Sequence, residues 1–295
     1  MDENETNASE IKAITSEPQN DFVFDLENVN YIGNALNELA LSPTVIVYYG
    51  VPCCGTLCSC CCTGVRGTGC CSCGDYYQYS TLSVKNGKKN YLFKNVVKLN
   101  CCCWCSKNID RLKYCKSYGI NSYEQFLSKE DGVLVSEMKK EKKCSCCSCD
   151  ELFHVRAMPD NCLAGIIKFD SCKKKSCCSC LACGDCKREN CKDYYYCSDI
   201  LSPNLELIYT VYLLICWCKC QAGQGWPESL NYTIKNAKDD TVGRIKASQR
   251  CCVFCGLCAA NYSYKIKFPE NETVQMKLTL INAVILHDLR AFLDE

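Results

Sequence analysis

The sequence predicts a mainly β (α+β) fold: a closed or nearly closed antiparallel β-barrel wrapped around a C-terminal buried apolar helix. Three observations support this prediction. Short β-branched and aromatic runs recur between turn residues, which is typical of serial hairpins. Two segments repeat one strand–turn–strand pattern. The last segment is a helix with apolar side chains on nearly every side, and the interior of a curved sheet would bury such a helix.

The terminal helix is predicted within residues 272–295. Its centre, Leu278–Leu286, consists of Leu, Ile, Val and Ala with only two polar interruptions. A helix that spans a membrane needs roughly 20 predominantly apolar residues. The charged residues Lys277 and Asp288 bracket a much shorter apolar segment, and charges inside a span are costly. We therefore predict a helix in a protein core rather than a membrane anchor.

The elements before this helix are predicted from local patterns. Apolar spacing within residues 31–39 indicates a short amphipathic helix that Pro43 ends. Thr44–Tyr49 is β-branched and aromatic and is predicted as a strand. Asn86-Gly87 stands between alternating apolar runs and predicts a β-hairpin. Leu207–Cys218 is too short to span a membrane and is typical of buried strands.

The repeated pattern lies in the second half of the chain. Phe153-His-Val155 is followed by a polar turn and then by Gly165-Ile-Ile167. Tyr232-Thr-Ile234 is likewise followed by a polar turn and then by Gly243-Arg-Ile245. Each copy is predicted to be a strand, a turn and a second strand that opens with Gly-X-Ile.

The predicted organisation is a disordered acidic tail over residues 1–25 followed by one barrel domain over residues 26–295. Two stretches, near 106–143 and 173–196, are interpreted as insertions because they are mixed in charge and poor in apolar residues. The first of them is predicted to hold a helical piece around Tyr123–Leu127.

Composition sets the chemistry to be considered. The 295 residues include 34 Cys and only 2 His, and the net charge of +1 gives no overall field that would attract nucleic acid. The first 20 residues contain no basic region followed by an apolar one, so we expect no secretory signal. In a protein that is not exported the thiols are expected to be reduced, and they are then free for metal binding, acylation or burial.

Zinc binding is one hypothesis for these thiols. Cys180, Cys183 and Cys186 are spaced as CXXCXXC, and Cys255 and Cys258 as CXXC, which suits a tetrahedral thiolate site. With 34 cysteines such spacings also arise by chance. Cysteine-rich exposed loops without metal are therefore an equal alternative.

Acylation is the other hypothesis. Adjacent cysteines suit it because one acyl chain holds a protein weakly to a membrane and two hold it well. Trp104 and the lysines of residues 139–143 accompany the clusters and suit an anionic membrane face. The predicted lipidation sites are Cys101, Cys102, Cys103, Cys105, Cys144, Cys146, Cys147 and Cys149.

No enzymatic activity is predicted, and no catalytic or cofactor-binding residue is assigned. The sequence shows no Ser-His-Asp arrangement, P-loop or GXGXXG motif. His154 and His287 have the sequence context of ordinary strand and helix residues.

The chain resembles the phospholipid scramblase family, within the wider group that has tubby-like C-terminal domains. The resemblance covers roughly Val45–Glu295 and depends on the order of several weak motifs: Cys144–Cys149 before Phe153–Val155, Cys216–Cys220 before Tyr232–Ile234, Thr241–Ile245 (TVGRI), Tyr264–Pro269 (YKIKFP), Val274–Lys277 (VQMK) and the helix Leu280–Phe292. It implies a β-barrel around the C-terminal helix, movement of phospholipids between leaflets, and calcium as a trigger. It also implies attachment to the cytoplasmic face of a membrane, the plasma membrane, through palmitoylated cysteines.

The calcium site that the resemblance implies is poorly matched in this chain. The family has an acidic loop, and calcium prefers several charged oxygen ligands. Only Glu270 and Glu272 lie near the matching positions, out of register, and the matching positions themselves are Ala260, Tyr262, Asn271 and Thr273. Two other functions stay open: a zinc-binding protein whose barrel carries thiols, and a lipid-tethered interaction module without transport activity.

Overall fold

The computed structural model describes residues 26–49, 76–85, 87–100, 112–127, 132–141, 150–170, 193–215, 229–250 and 261–292. Within these ranges the chain forms a closed barrel of twelve antiparallel strands and three helices. The helices are α1 (Leu26–Leu41), α2 (Tyr123–Leu127) and α3 (Val274–Phe292). The strands are β1 (Thr44–Tyr49), β2 (Tyr76–Lys85), β3 (Lys88–Leu99), β4 (Leu112–Gly119), β5 (Val133–Lys140), β6 (Asp150–Ala157), β7 (Cys162–Asp170), β8 (Asp193–Leu201), β9 (Leu207–Ile215), β10 (Ser229–Asn236), β11 (Thr241–Arg250) and β12 (Asn261–Lys267).

Each strand pairs with its sequence neighbours, and β12 closes the barrel against β1. The barrel therefore has two distinct ends. At one end, here called the helix end, β1 follows α1 and the even-numbered strands pass into the next odd-numbered strand or into α3. At the other, here called the cysteine end, the chain leaves every odd-numbered strand and returns as the next even-numbered strand. The six connections that start and finish there contain all but three of the 34 cysteines.

All five hairpins of the helix end contain a β-bulge. In each of the five, the pairing register shifts near the turn, which is the mark of a β-bulge. Bulges bend strands and increase their twist, so they are common at the rims of barrels. The shifts lie at Thr81/Leu82, Ser117/Tyr118, Val155/Arg156, Ile200/Leu201 and Ile234/Lys235.

The repeated sequence pattern forms two equivalent hairpins, β6–β7 and β10–β11. Gly165 pairs with Val155 immediately before one bulge, and Gly243 pairs with Ile234 immediately before the other. A Cβ atom at Gly165 would lie 2.7 Å from the Oγ1 atom of Thr279, and one at Gly243 would lie 2.8 Å from a backbone carbonyl oxygen of β12. At both positions a neighbouring atom lies too close to leave room for a Cβ atom, which explains why each residue is glycine.

Helix α3 lies inside the barrel. Every residue from Met276 to Leu289 is buried, and the apolar ones join a single core with the inward side chains of the strands. The hydroxyl of Thr273 caps the helix by accepting a hydrogen bond of 3.3 Å from the backbone N–H of Met276. The fold predicted from the sequence is confirmed. Among the described helices, none combines the length and apolar character needed to cross a bilayer.

Helix α1 covers the helix end of the barrel, where Leu39 is buried in the same core. Lys277 holds it there from inside the core. Its ammonium donates hydrogen bonds to the carbonyl oxygens of Leu39, Ala40 and Ser42 at 3.1, 2.7 and 3.0 Å. The last carbonyls of a helix have no partner within the helix, and Lys277 supplies one from α3.

The two stretches interpreted as insertions contribute to the barrel. Residues 106–143 contain β4 and β5, which pair with each other and close the sheet between β3 and β6. The helical piece predicted at Tyr123–Leu127 is α2. The end of the second stretch, from Asp193 onward, belongs to β8, and the rest lies outside the described residues. The acidic tail, residues 1–25, also lies outside them.

Candidate functional site

All the predicted lipidation cysteines lie outside the described residues, but the strands on either side show where they enter the fold. Cys101–Cys105 belong to the connection between β3 and β4, and Cys144–Cys149 to that between β5 and β6. Both connections start and finish at the cysteine end. Two of the nearby lysines, Lys139 and Lys140, form ion pairs with Glu137 and Glu151. These two lysines are therefore paired with carboxylates on the barrel wall.

The cysteines proposed as zinc ligands also lie outside the described residues. Cys180, Cys183 and Cys186 belong to the connection between β7 and β8, and Cys255 and Cys258 to that between β11 and β12. Both connections start and finish at the cysteine end. In the part of the chain that the structure describes, no group of three or more His, Cys, Asp and Glu residues could hold a metal ion.

Both glutamates proposed for calcium, Glu270 and Glu272, lie in the described part of the chain, in the turn that precedes α3. Glu270 is exposed. One oxygen of Glu272 accepts a hydrogen bond from the hydroxyl of Tyr209, and the other accepts one of 2.8 Å from the backbone N–H of Thr273. Burial, together with Glu272, raises the pKa of the Tyr209 hydroxyl, so it stays protonated as a donor. Glu272 thus ties the start of α3 to β9.

Two of the neighbouring positions, Asn271 and Thr273, have structural roles in this turn. Asn271 has a φ of 56°, in the left-handed region that asparagine adopts more readily than most residues. Thr273 is the N-cap of α3. Tyr262 belongs to β12, and Ala260 lies outside the described residues. The loop is therefore a turn followed by the start of α3.

Weak calcium binding is the expected result at this loop. Calcium sites that bind tightly gather six to eight oxygens with several carboxylates. Here one carboxylate is exposed and the other is engaged by Tyr209 and Thr273. Isothermal titration of the full chain with calcium should show no tight, stoichiometric binding that Glu270→Gln and Glu272→Gln abolish. Tight binding lost in those two variants would contradict the expectation.

A polar layer inside the barrel is the described feature that the sequence did not predict. The carboxylate of Asp288, on α3, accepts hydrogen bonds from the hydroxyls of Tyr79 at 2.8 Å and Tyr264 at 2.6 Å. On the preceding residue of α3, the Nε2 atom of His287 lies 2.9 Å from the hydroxyl oxygen of Ser198. All of these side chains are buried. They connect α3 to β2, β8 and β12 and fix its rotation within the barrel.

The chemistry of this layer is structural. Burial, followed by the charge of Asp288, raises the pKa of Tyr264 well above its ordinary range, which keeps the hydroxyl protonated. The rings of Phe169 and Tyr232 lie 5.0 and 5.2 Å from the His287 ring. The carboxylate accepts from tyrosines and the imidazole contacts a serine, so both residues attach α3 to the barrel wall.

Stability should fall steeply in alkaline solution. Burial raises the pKa of Tyr264, of Tyr209 and of the Cys115 thiol, so these groups keep their protons in the fold while the unfolded chain loses them. Their contribution is complete below the ordinary values of 9.0 for Cys and 10.0 for Tyr and is lost as the pH rises further. Burial lowers the pKa of Lys277, so this group makes stability rise with pH below 10.5. It is one group against three.

Urea unfolding between pH 8 and 11 measures this effect. For the fully buried Tyr264 the loss is about 1.4 kcal/mol for each pH unit above 10. Tyr264→Phe removes that one group, so its stability should be lower at pH 8 but should fall less steeply above pH 10. Equal slopes for the two proteins would contradict the assignment.

Comparisons with known proteins give no relative: no family model, no curated protein and no solved structure matches this chain.

Proposed function

We propose that this protein is a phospholipid scramblase-like protein that acts at the cytoplasmic face of a membrane, the plasma membrane, to which acylated cysteines attach it. The observation that carries the proposal is the shared origin of the two predicted lipidation clusters at one end of the barrel. Acyl chains on both clusters would therefore reach the same membrane. Two chains on one protein give stable attachment, whereas one gives marginal binding.

The burial of α3 supports attachment through the cysteine-rich connections rather than through this helix. Its apolar residues pack against the strands, so the helix that ends the domain belongs to the core and is not free to insert into lipid. Attachment then falls to the cysteine-rich connections. The proposed movement of phospholipids follows from the resemblance of the motif order to the scramblase family.

Attachment and transport are tested separately. Hydroxylamine cleaves thioesters, so it should release the native protein from membranes. The variant with Ser at all eight predicted lipidation sites, namely Cys101, Cys102, Cys103, Cys105, Cys144, Cys146, Cys147 and Cys149, should be found in the soluble fraction. The control places Ser at two described thiols that lie on strands, Cys162 and Cys197, and should stay on the membrane. Persistent attachment of the eightfold variant would count against the tether.

Transport is measured by reconstitution into liposomes that carry a labelled phospholipid in both leaflets. A scramblase should expose the inner-leaflet label to a reagent added outside, with calcium or without it. Absence of any increase over protein-free liposomes would leave a lipid-tethered interaction module without transport activity.

Zinc binding is the second candidate function. It is favoured because the two connections that contain the CXXC-spaced cysteines both start and finish at the cysteine end; these cysteines are Cys180, Cys183, Cys186, Cys255 and Cys258. Elemental analysis of protein purified under reducing conditions tests it, and a zinc content below one atom per chain would exclude a structural site.

A further inference from the structure

The outer surface of β11 and β12 carries four cations in a compact grid. Arg244 and Lys246 on β11, and Lys265 and Lys267 on β12, are all exposed. Arg244 lies directly opposite Lys267, and Lys246 directly opposite Lys265. Neighbouring strands are about 4.8 Å apart and successive outward residues about 7 Å apart, so the charges are close together. This set of four residues is here called the β11–β12 face.

The strands on either side of the β11–β12 face present neutral residues to it. On β1, Thr44 lies opposite Lys267 and Ile46 opposite Lys265. On β10, Thr233 lies opposite Arg244 and Asn231 opposite Lys246. No ion pair joins any of the four cations to a carboxylate in the described chain. The adjacent turn holds two acids: Asp239 is paired at 2.7 Å with another lysine, Lys235, and Asp240 accepts a hydrogen bond of 3.2 Å from the side-chain amide of Asn236.

The opposite wall of the barrel shows that the fold can neutralise such charges. There Glu137 lies 3.7 Å from Lys116 and 2.7 Å from Lys139, and Glu151 lies 3.2 Å from Lys140. Like charges placed directly across a strand pair destabilise a sheet. The β11–β12 face holds two such pairs, and no carboxylate among the described residues forms an ion pair with them, although a single glutamate would relieve the repulsion. This arrangement is suited to an anionic partner.

We propose that the β11–β12 face binds the anionic headgroups of a bilayer surface. The inference rests on the proposed function at a membrane and adds to it the surface that meets the lipid. A two-by-two grid on a sheet wall matches a layer of headgroups, and each Lys or Arg near an anionic leaflet strengthens binding. Nucleic acid is less suited because the grid and its direct neighbours include no aromatic side chain for stacking and the net charge is only +1.

Vesicle binding by the full, unacylated chain under reducing conditions tests this inference. The test variant is Arg244→Gln, Lys246→Gln, Lys265→Gln and Lys267→Gln together. The matched control removes four exposed lysines from other parts of the surface, Lys85, Lys88, Lys113 and Lys238, each replaced by Gln. The wild-type chain should bind vesicles that contain phosphatidylserine, should bind pure phosphatidylcholine vesicles far less, and should lose affinity as salt is raised.

The partition coefficient of the test variant should fall about a thousandfold, because each cation contributes about fivefold. The control should change it by less than about tenfold, since its charges are dispersed. The midpoint of urea unfolding should rise in the test variant because the repulsion between opposite strands is gone, which separates lost binding from lost structure.

Equal binding by the test variant and the wild type would overturn the inference, and so would an equal loss in the control. Tighter binding of single-stranded RNA than of anionic vesicles, removed by the same four substitutions, would assign the face to nucleic acid instead. The outcome is independent of transport: a chain that binds vesicles through this face but moves no lipid contradicts the proposed activity and leaves the surface assigned.

Discussion

A chain that lacks residues 272–295 is expected to be unfolded. The deletion removes α3, whose seven large apolar side chains with relative exposures of 0–2% lie in the barrel core. Each such side chain contributes about 1.5–3 kcal/mol on burial, or about 10–20 kcal/mol for seven. Whole domains are stable by only about 5–15 kcal/mol. The strands would enclose an empty interior and lose the contacts that hold them together.

Circular dichroism and limited proteolysis of the truncated chain measure this outcome. Aggregation and rapid cleavage are expected even when no membrane is present. A compact, β-rich product that unfolds cooperatively would contradict the core role of α3.

A point substitution makes the same test without shortening the chain. Ile281→Asp should also prevent folding, because Ile281 is 1% exposed and an unpaired carboxylate there would be buried. Gln275→Asp is the matched control, since Gln275 is an exposed residue in the first turn of the same helix. A negative charge at that end is favourable. The control should fold normally.

The parts of the fold predicted from the sequence are those with strong local periodicity. The apolar run of α3 and its charged borders indicated a buried helix, and the Asn-Gly pair indicated the β2–β3 hairpin. The repeated Gly-X-Ile pattern indicated two equivalent hairpins, which the pairing of Gly165 and Gly243 beside matching bulges confirms. In each case, residues close in the sequence carry the signal.

Strands β4 and β5 were not predicted because their sequences show no clear alternation of apolar and polar residues. Their outward positions carry lysines, and two of their inward positions are the serines Ser117 and Ser136, which are buried and directly paired. A strand with charged residues on one side and small polar residues on the other has little apolar character. The barrel nevertheless needs both strands for closure.

The polar layer and the β11–β12 face depend on pairing between distant segments. The hydrogen bond from Tyr79 to Asp288 joins residues 209 positions apart, and no spacing rule links them. The alternation Arg244-Ile-Lys246 is visible in the sequence, as is Lys265-Ile-Lys267. Only the register of β11 against β12 shows that the two pairs of cations lie directly opposite one another.

Gly165→Ala is expected to destabilise the barrel by about 1–3 kcal/mol, the usual cost of adding a methyl group to a filled core. The new Cβ would lie 2.7 Å from Oγ1 and 3.0 Å from Cγ2 of Thr279. Thr279 is fully buried on α3 and its hydroxyl donates a hydrogen bond to the carbonyl oxygen of Gln275, so rotating the side chain away would break that bond. The substitution should therefore push α3 away from β7. Urea unfolding of Gly165→Ala and the wild type at pH 7 measures the loss.

The cause of that loss is tested by removing the atoms that the new Cβ would meet. Thr279→Ala deletes both of them and also a hydrogen bond of 2.9 Å to the carbonyl oxygen of Gln275, so it should cost some stability alone. Combined with Gly165→Ala it should recover most of the loss, giving a coupling of about 1–3 kcal/mol. Gly243→Ala is the control, because its Cβ would meet a carbonyl oxygen of β12 at 2.8 Å rather than Thr279. Gly243→Ala and Thr279→Ala should be additive to within about 0.5 kcal/mol. Additivity of the Gly165 and Thr279 substitutions would show that contact with α3 is not what requires glycine at position 165.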